Sequence, residues 1–281
     1  MSLSLRAGEV QALLGENGAG KSTLIKCLSG VLQPSHGQIL LEGQPIHPQS
    51  PHDAENMGIA TVFQEVGLIP HLSIAENICL GREPGRRFFR HFIDWRAVRT
   101  RAAAAMSRLG LTTLDVDREL GTCSVAVQQM VAIARALDVQ AKVLILDEPT
   151  SSLDRGECAR LLAVIRQLRS QGLGIIFISH FLDQVEAIAD RITILRDGSL
   201  IGSFEAATLT RPRLVSLMVG RDFEFAPAKN TAVAPDTQAT TAATTAVTAA
   251  VTADTSATPN HQNHPPSLLT LRGIGRTGML E

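Results

Sequence analysis

Gly15-Glu16-Asn17-Gly18-Ala19-Gly20-Lys21-Ser22-Thr23 is the stretch that decides how this sequence folds. It matches the pattern G-x-x-x-x-G-K-[ST] in full, follows the largely apolar run Val10 to Leu14 and precedes a helical pattern at residues 22–28. Glycines let successive backbone N–H groups point into one concavity, and a helix N-terminus adds partial positive charge. Lys21 can then reach the β- and γ-phosphates of a nucleotide, and the Ser22 hydroxyl can ligate Mg²⁺. The stretch therefore predicts a strand, a loop and a helix that bind a nucleoside triphosphate.

Composition narrows the class of protein. The 281 residues allow a sizeable core and at most two domains. A formal net charge of −1 and a pI near 6.7 give no bulk attraction to nucleic acid or to an anionic membrane. The four cysteines stand far apart without zinc-like spacing, which indicates a reducing compartment. Because no apolar stretch reaches the roughly 20 residues that span a bilayer and no signal-peptide pattern opens the sequence, we expect a soluble, cytosolic chain.

The sequence divides into an α/β domain and a differently composed C-terminal part. Strand-like and helix-like patterns alternate over residues 1–225, which predicts a mostly parallel sheet with helices, and residues 85–138 predict an inserted helical subdomain. Residues 226–266 are rich in Ala, Thr and Pro and predict a disordered linker. Residues 267–281 resume an apolar and basic pattern, but we expect them to stop before an element can close.

Helix starts are marked in the middle of the chain. Ser73 and Glu76 have the spacing of a capping box, in which each side chain bonds the other residue's backbone N–H. Asp94 is placed to cap a helix over residues 95–109, which Gly110 can terminate. The pattern predicts two helices with these starting points.

Polar side chains follow two predicted strands. The apolar run at residues 143–146 ends in Asp147 and Glu148, and His180 follows the aliphatic run Gly174 to Ile178. Asp147 would orient the Mg²⁺ shell, and Glu148 would face the γ-phosphate and polarise water. His180 can hydrogen-bond the γ-phosphate from the next strand. The same pattern leaves open a structural alternative, in which the two acids cap a helix and the histidine is only packed.

Six segments together resemble the motifs of an ABC-transporter ATPase. In chain order they are the phosphate loop, Gln64, residues 124–129 with Ser124, the Asp147-Glu148 pair, residues 152–154 with Asp154, and His180. They look like the Walker A, Q-loop, signature, Walker B, D-loop and H-loop of that family, over about residues 1–222. Residues 64–83 and 128–134 are most similar to the bacterial sugar-importer ATPases of the ribose, galactose and xylose type. The resemblance implies a P-loop NTPase (ABC ATPase) core.

The resemblance also implies roles for these residues in ATP hydrolysis. Two such domains would close head to tail around two ATP molecules, each bound with Mg²⁺. Nucleotide would be bound by Gly15, Glu16, Asn17, Gly18, Ala19, Gly20, Lys21, Ser22 and Thr23, and by Ser124 and Asp154. Mg²⁺ would be held by Ser22, Gln64 and Asp147. Catalysis would be carried by Glu148, His180 and Gln64.

The partners implied by the resemblance are those of a sugar importer. They are transmembrane permease subunits, a second ABC ATPase domain and, indirectly, a periplasmic sugar-binding protein, with no nucleic acid among them. Gln64 would sense the γ-phosphate and transmit the closure of the two ATPase domains to residues 65–84. These residues would face the permease. The chain would then be peripheral on the cytoplasmic face of the cell membrane.

The sequence also departs from that family. An L-S-G-G-Q signature would have leucine, glycine and glutamine where this chain has Cys123, Ala126 and Val127, although Ser124 is kept. The subfamily opens with a strand and an aromatic loop, and this sequence starts beyond that point. Residues 268–275 look like the opening strand of a second half, so residues 267–281 are interpreted as the start of a truncated second ABC domain. We therefore expect the first half of a tandem ATPase, trimmed at both ends.

Two other functions stay open at this point. The first is an ABC ATPase without membrane partners that acts on ribosomes or DNA, although residues 70–83 and the absence of a basic surface argue against it. The second is a defective fragment that binds nucleotide without productive hydrolysis. The altered signature and the abrupt end of the sequence favour this second alternative.

Overall fold

Strands and helices alternate along the chain, as the sequence patterns predict. The computed structural model describes residues 1–64, 67–85, 92–220 and 266–275. Within those ranges the strands are β1 (Leu3–Arg6), β2 (Val10–Leu14), β3 (His36–Leu41), β4 (Gln44–Ile46), β5 (Ile59–Val62), β6 (Val143–Asp147), β7 (Gly174–Ile178), β8 (Arg191–Arg196), β9 (Ser199–Glu205) and β10 (Ser267–Gly275). The α-helices in the same ranges are α1 (Lys21–Leu28), α2 (Pro51–Met57), α3 (Ile74–Cys79), α4 (Trp95–Arg108), α5 (Val125–Leu137), α6 (Arg155–Ser170), α7 (Leu182–Ile188) and α8 (Arg211–Val219).

A six-stranded sheet forms the centre of the fold. Its order is β5-β6-β7-β2-β8-β9, with the first five strands parallel and β9 antiparallel to β8. Because successive side chains of a strand point to opposite faces, Leu144 and Leu146 pack into one apolar cluster, and Val143 and Ile145 pack into another. Both faces are thus covered, which is what a parallel sheet requires and what the aliphatic runs predict. The predicted α/β fold with a mostly parallel sheet is confirmed.

A second, four-stranded antiparallel sheet lies beside the first. Its order is β1-β10-β3-β4, so β10 pairs with β1 on one side and with β3 on the other. The expectation that residues 267–281 stop before an element can close is therefore wrong for residues 267–275. Alternation explains the strand, because Leu269 and Leu271 point into the core while Thr270 and Arg272 do not. No local signal in the sequence says which distant strands would accept it.

The middle of the chain is mostly helical, and its predicted caps are present. The Ser73 hydroxyl accepts from Glu76 N at 3.2 Å, and Glu76 Oε2 accepts from Ser73 N at 2.8 Å, which completes the capping box of α3. Asp94 Oδ1 accepts from the backbone N–H groups of the second and third residues of α4, both at 3.1 Å. The helices α3, α4 and α5 contact one another and bury Val98, Ala102 and Met106.

Some predictions fall on parts of the chain that the structure leaves undescribed. The predicted linker at residues 226–266 lies there apart from Pro266, and so do Glu65 in the segment after Gln64 and residues 276–281. Within the described ranges, the helices are all too short or too polar to span a membrane.

Candidate functional site

Glycine geometry shapes the loop between β2 and α1. Gly15, Gly18 and Gly20 have φ angles of +156°, +84° and +98°. A Cβ on Gly15 would lie 2.3 Å from the carbonyl oxygen of Leu195, so no side chain fits there. Gly20 is the N-cap residue of α1 and makes no side-chain cap hydrogen bond. The partial positive charge of the helix start therefore favours an anion at this loop.

Lys21 lies across this loop. Its Nζ atom donates to the carbonyl oxygens of Gly15 at 2.7 Å and Glu16 at 3.0 Å. Partial burial lowers the pKa of Lys21, and the nearby charges of Glu148 and Asp147 oppose that shift. The Nζ atom thus lies at the mouth of the loop, where a phosphate can exchange with the two carbonyls.

Two neighbouring carboxylates face Lys21 from the end of β6. Burial raises the pKa of Asp147, the charge of Glu148 raises it further, and Lys21 opposes both. Glu148 has a φ of +49°, a conformation that favours glycine, and its N–H donates to the carbonyl of Ile178 at 3.0 Å. With two carboxylates against one ammonium group, this corner carries excess negative charge and favours a cation.

His180 completes the corner from the end of β7. Its Nδ1 atom lies 3.3 Å from Glu148 Oε1, and its side chain is 57% exposed against 24% for Glu148. The backbone on either side is fixed by Ser179, whose hydroxyl donates to Gln184 at 3.1 Å and accepts from Phe181 N at 3.0 Å. The backbone around His180 is therefore held in place, with the imidazole beside Glu148.

A cavity of about 740 Å³ lies between the loop and the two carboxylates. It is lined by the loop and the carboxylates, by Gln64, and by residues from three distant parts of the chain. The lining residues are Met1, Asn17, Gly18, Ala19, Gly20, Lys21, Ser22, Thr23, Leu24, Cys27, Gln64, Asp147, Glu148, Gly198, Ile274 and Gly275. Its volume is in the range of sites for small molecules and cofactors.

The structure brings most of the predicted site residues together and leaves two elsewhere. Asn17 to Thr23, Gln64, Asp147 and Glu148 line the cavity, and His180 adjoins it through Glu148. Gly15 and Glu16 do not line it, but their carbonyls accept hydrogen bonds from Lys21 in the same loop. Ser124 and Asp154 are absent from the lining. Ser124 caps α5, where its hydroxyl accepts from Val127 N at 3.4 Å, and Asp154 caps α6, where it accepts from Glu157 N at 2.7 Å. The D-x-x-E pattern at residues 154–157 was a readable signal for the second cap.

Sequence reasoning missed the part of the cavity wall that comes from the chain ends. Met1, Ile274 and Gly275 line it together, and Gly198 does so from the turn before β9. The strand pattern of residues 268–275 was visible in the sequence, but its pairing partners were not. The contact arises only when β10 joins the sheet.

The oxygen donors at the cavity fit Mg²⁺. Ser22, Gln64 and Asp147 offer a hydroxyl, an amide and a carboxylate oxygen, which are hard ligands of the kind this ion prefers. No group of three or more His, Cys, Asp or Glu side chains that could hold a metal occurs among the described residues. Mg²⁺ is usually bound by one or two carboxylates together with substrate phosphates. The residue set therefore suits an ion shared with a triphosphate.

Comparisons with known proteins agree with this site. The sequence model of the family described as "ABC transporter" matches residues 1–151. The galactofuranose transporter ATP-binding protein YtfR of Escherichia coli (strain K12) is 50% identical over 224 residues, which are 80% of this chain and 44% of that protein. The ribose import ATP-binding protein RbsA 2 of Streptomyces avermitilis is 52% identical over 224 residues, with the same two coverages. This chain thus spans less than half the length of these curated relatives.

Solved structures show the same architecture. The ADP conformation of an ATP-binding cassette of an ABC transporter is similar with a TM-score of 0.66 and 26% identity, covering 79% of this chain and 91% of that one. A nucleotide-free cassette gives the same TM-score and identity, covering 76% of this chain and 89% of the other. Since the family model matches more than half of the sequence, this chain belongs to the ABC transporter family.

Proposed function

We propose that this chain is the ATP-binding and ATP-hydrolysing part of an ABC transporter that imports a sugar. The observation that carries the proposal is the shared cavity of the phosphate loop, Gln64 and the Asp147-Glu148 pair. Both relatives described above are named as ATP-binding proteins, one of a galactofuranose transporter and one for ribose import, which supports a sugar as the cargo. The sugar itself would pass through the permease and never contact this chain.

Nucleotide binding would use the loop and Lys21. Backbone N–H groups at the start of α1 receive the phosphate oxygens, and Lys21 leaves the carbonyls of Gly15 and Glu16 to pair with the β- and γ-phosphates. Ser22, Gln64 and Asp147 would hold Mg²⁺, which when bound neutralises charge on the phosphates. These residues fix the γ-phosphate beside Glu148.

Hydrolysis would proceed by attack of water on the γ-phosphorus with loss of ADP. Glu148 accepts a hydrogen bond from the water and orients it, and its proximity to His180 keeps both groups on the γ-phosphate side. His180 would hydrogen-bond the γ-phosphate. Positioning and charge stabilisation supply most of the catalysis in reactions of this class, so these distances matter more than strong acid or base chemistry.

The chain would work with a second ABC ATPase domain, permease subunits and, indirectly, a periplasmic sugar-binding protein. Ser124 caps α5, is solvent-exposed and does not line this chain's own cavity, which supports a role for it at the nucleotide of a partner domain. We infer an ABC domain at residues 1–225 with a helical subdomain near 85–138 and a linker at 226–266, after which β10 at 267–275 pairs within the sheet of that same domain. The assembly would lie on the cytoplasmic face of the cell membrane.

Calorimetric titration with Mg-ATP tests the assignment. Lys21→Ala removes a charge-assisted contact to two phosphates, a contribution of about 1.5–3 kcal/mol, and should weaken binding by roughly tenfold to a hundredfold. Lys26→Ala is the matched control, because Lys26 lies on the same helix, is exposed and does not line the cavity. Equal affinities for the parent protein and Lys21→Ala would overturn the proposal.

One observation favours a second candidate, a chain that binds ATP without productive hydrolysis. Val127 stands near the start of α5, where an amide side chain would complete the family's signature. Phosphate release measured with an intact second ABC domain separates the two functions. Turnover no greater than that of Glu148→Gln would favour the binding-only function.

A further inference from the structure

The strand β10 comes from the far end of the described chain and yet lies inside a sheet. It pairs with β1 through Leu3↔Leu271 and Leu5↔Leu269, and with β3 through Leu41↔Leu269 and Ile39↔Leu271. Further backbone bonds flank it, from Glu42 N to the carbonyl of Leu268 at 2.7 Å and from Ile274 N to the carbonyl of Met1 at 2.8 Å. Since the sheet order is β1-β10-β3-β4, β10 is the element that joins β1 to β3.

The same strand contributes to the apolar cluster that holds the helix that begins at the phosphate loop. Leu269 and Leu271 are 0% and 1% exposed and share an apolar cluster with Leu24 and Ile25 of α1. Backbones approach closely on the other side, because a Cβ on Gly37 of β3 would lie 2.6 Å from the carbonyl oxygens of Arg272 and Gly273. β10 and α1 are therefore held in one apolar cluster, so displacement of β10 removes part of the packing around α1.

The end of β10 also reaches the nucleotide cavity directly. Ile274 and Gly275 line it together with Lys21 and Asp147. The loop, Lys21 and the carboxylates account for the triphosphate and its metal ion, which leaves the remaining walls for ribose and base. Ile274 is an apolar part of those walls, and the flat faces of a purine pack favourably on apolar side chains.

We propose that β10 is a component of the nucleotide site and that its seating between β1 and β3 is thermodynamically coupled to ATP binding, with Ile274 and Gly275 contacting the base or ribose. The coupling rests on the nucleotide binding proposed above. Linkage is reciprocal, so the factor by which loss of β10 lowers the affinity for ATP is the factor by which ATP lowers the opening of β10. The opening of β10 would thereby change with the occupancy of the nucleotide cavity.

A pair of glycine variants tests the dependence of affinity on β10. Gly37 and Gly43 both have positive φ angles, +95° and +79°, so alanine strains the backbone at each. Only at Gly37 would the new Cβ meet β10, because nothing lies within 4 Å of a Cβ on Gly43. Calorimetry should find Mg-ATP binding weakened at least severalfold in Gly37→Ala and unchanged in Gly43→Ala. Parental affinity in Gly37→Ala would overturn the coupling.

Hydrogen exchange on the unmodified full chain provides a second test that does not depend on a variant folding. Saturating Mg-ATP should slow exchange of the backbone amides of β10, and leave those of α8, which has no residue in the cavity, unchanged. Protection that rises in α1 while β10 exchanges at its nucleotide-free rate would overturn the coupling and leave ATP binding intact. A chain that shows no protection and no calorimetric binding would overturn ATP binding itself, and the coupling with it.

Discussion

Asp147 and Glu148 are adjacent at the end of β6, but their side chains have different surroundings. Asp147 ends a buried strand, and burial together with the neighbouring carboxylate raises its pKa. Glu148 turns out of the strand with a φ of +49° and comes within 3.3 Å of His180. A half-buried carboxylate at a strand end suits a metal ligand, and a carboxylate beside a histidine suits a group that handles water.

The raised pKa of Asp147 implies a cost to stability without ligand. A carboxylate whose pKa is higher in the folded than in the unfolded state holds its proton more tightly when folded, so its ionisation destabilises the fold. The cost is present at neutral pH and is lost as the pH falls through the folded pKa. Asp147→Asn should therefore raise the Tm of the nucleotide-free protein at neutral pH, with a smaller gain in acid.

Differential scanning calorimetry at neutral and acidic pH, without Mg²⁺ or nucleotide, measures this effect. Asp197→Asn is the control, because the Asp197 side chain is 90% exposed and should change little. The same Asp147→Asn protein should bind Mg-ATP more weakly than the parent. A Tm below the parental value at neutral pH would contradict the argument.

Glu148→Gln separates chemistry from binding. The substitution keeps the shape of the side chain and removes the charge that repels the γ-phosphate, so ATP binding should be preserved or tightened. Hydrolysis should fall by about 10²-fold or more, the range for loss of a general base. Phosphate release should be measured with a partner domain whose own glutamate has been replaced, so that the second site adds no turnover. If Glu148→Gln hydrolyses ATP as fast as the parent protein in that background, then either His180 carries the step or this site is not catalytic.

At the scale of elements, sequence patterns predicted what is local and missed what is distant. The strands β2, β6 and β7 and the caps at Ser73 and Asp94 follow from alternation and short spacings, and the structure confirms them. The pairing of β10 with β1 and β3 could not be predicted from the sequence. It requires β1 and β3 to lie two strand spacings apart in the folded protein, so that one strand fits between them. No sequence signal therefore indicated that Ile274 would line the cavity.

Substitutions of Asp154 can separate its capping of α6 from a role in a nucleotide site. It forms a capping box with Glu157 at the start of α6, so Asp154→Ala should lower the free energy of unfolding by about 1 kcal/mol, measured in urea. Asparagine caps helices as well as aspartate does, so Asp154→Asn should recover most of that stability. If Asp154 also serves the site of a second domain, Asp154→Asn will still lower ATPase activity in the assembled pair. A stable Asp154→Ala protein would contradict the capping role.

At the scale of the whole molecule, the cavity forms where the carboxyl ends of parallel strands meet. The strands β2, β6 and β7 lie side by side and deliver the phosphate loop, the two carboxylates and His180 to one edge of the sheet. The start of α5 is elsewhere, with Ser124 exposed and Val125 44% exposed. One copy of the chain therefore keeps its cavity and the start of its α5 apart.

That separation predicts how the chain behaves alone and with a partner. Alone it should be largely monomeric by sedimentation and nearly inactive as an ATPase, because no residue of its α5 lines its own cavity. A homodimer should not rescue turnover, since Val127 cannot provide the hydrogen bonds of an amide side chain. Adding an ABC domain with a complete signature should raise phosphate release in proportion to the complex formed, and replacing the signature serine of that domain should abolish the gain. ATPase activity that is robust and independent of protein concentration in the isolated chain would contradict this prediction, because it would require a complete catalytic site within one copy.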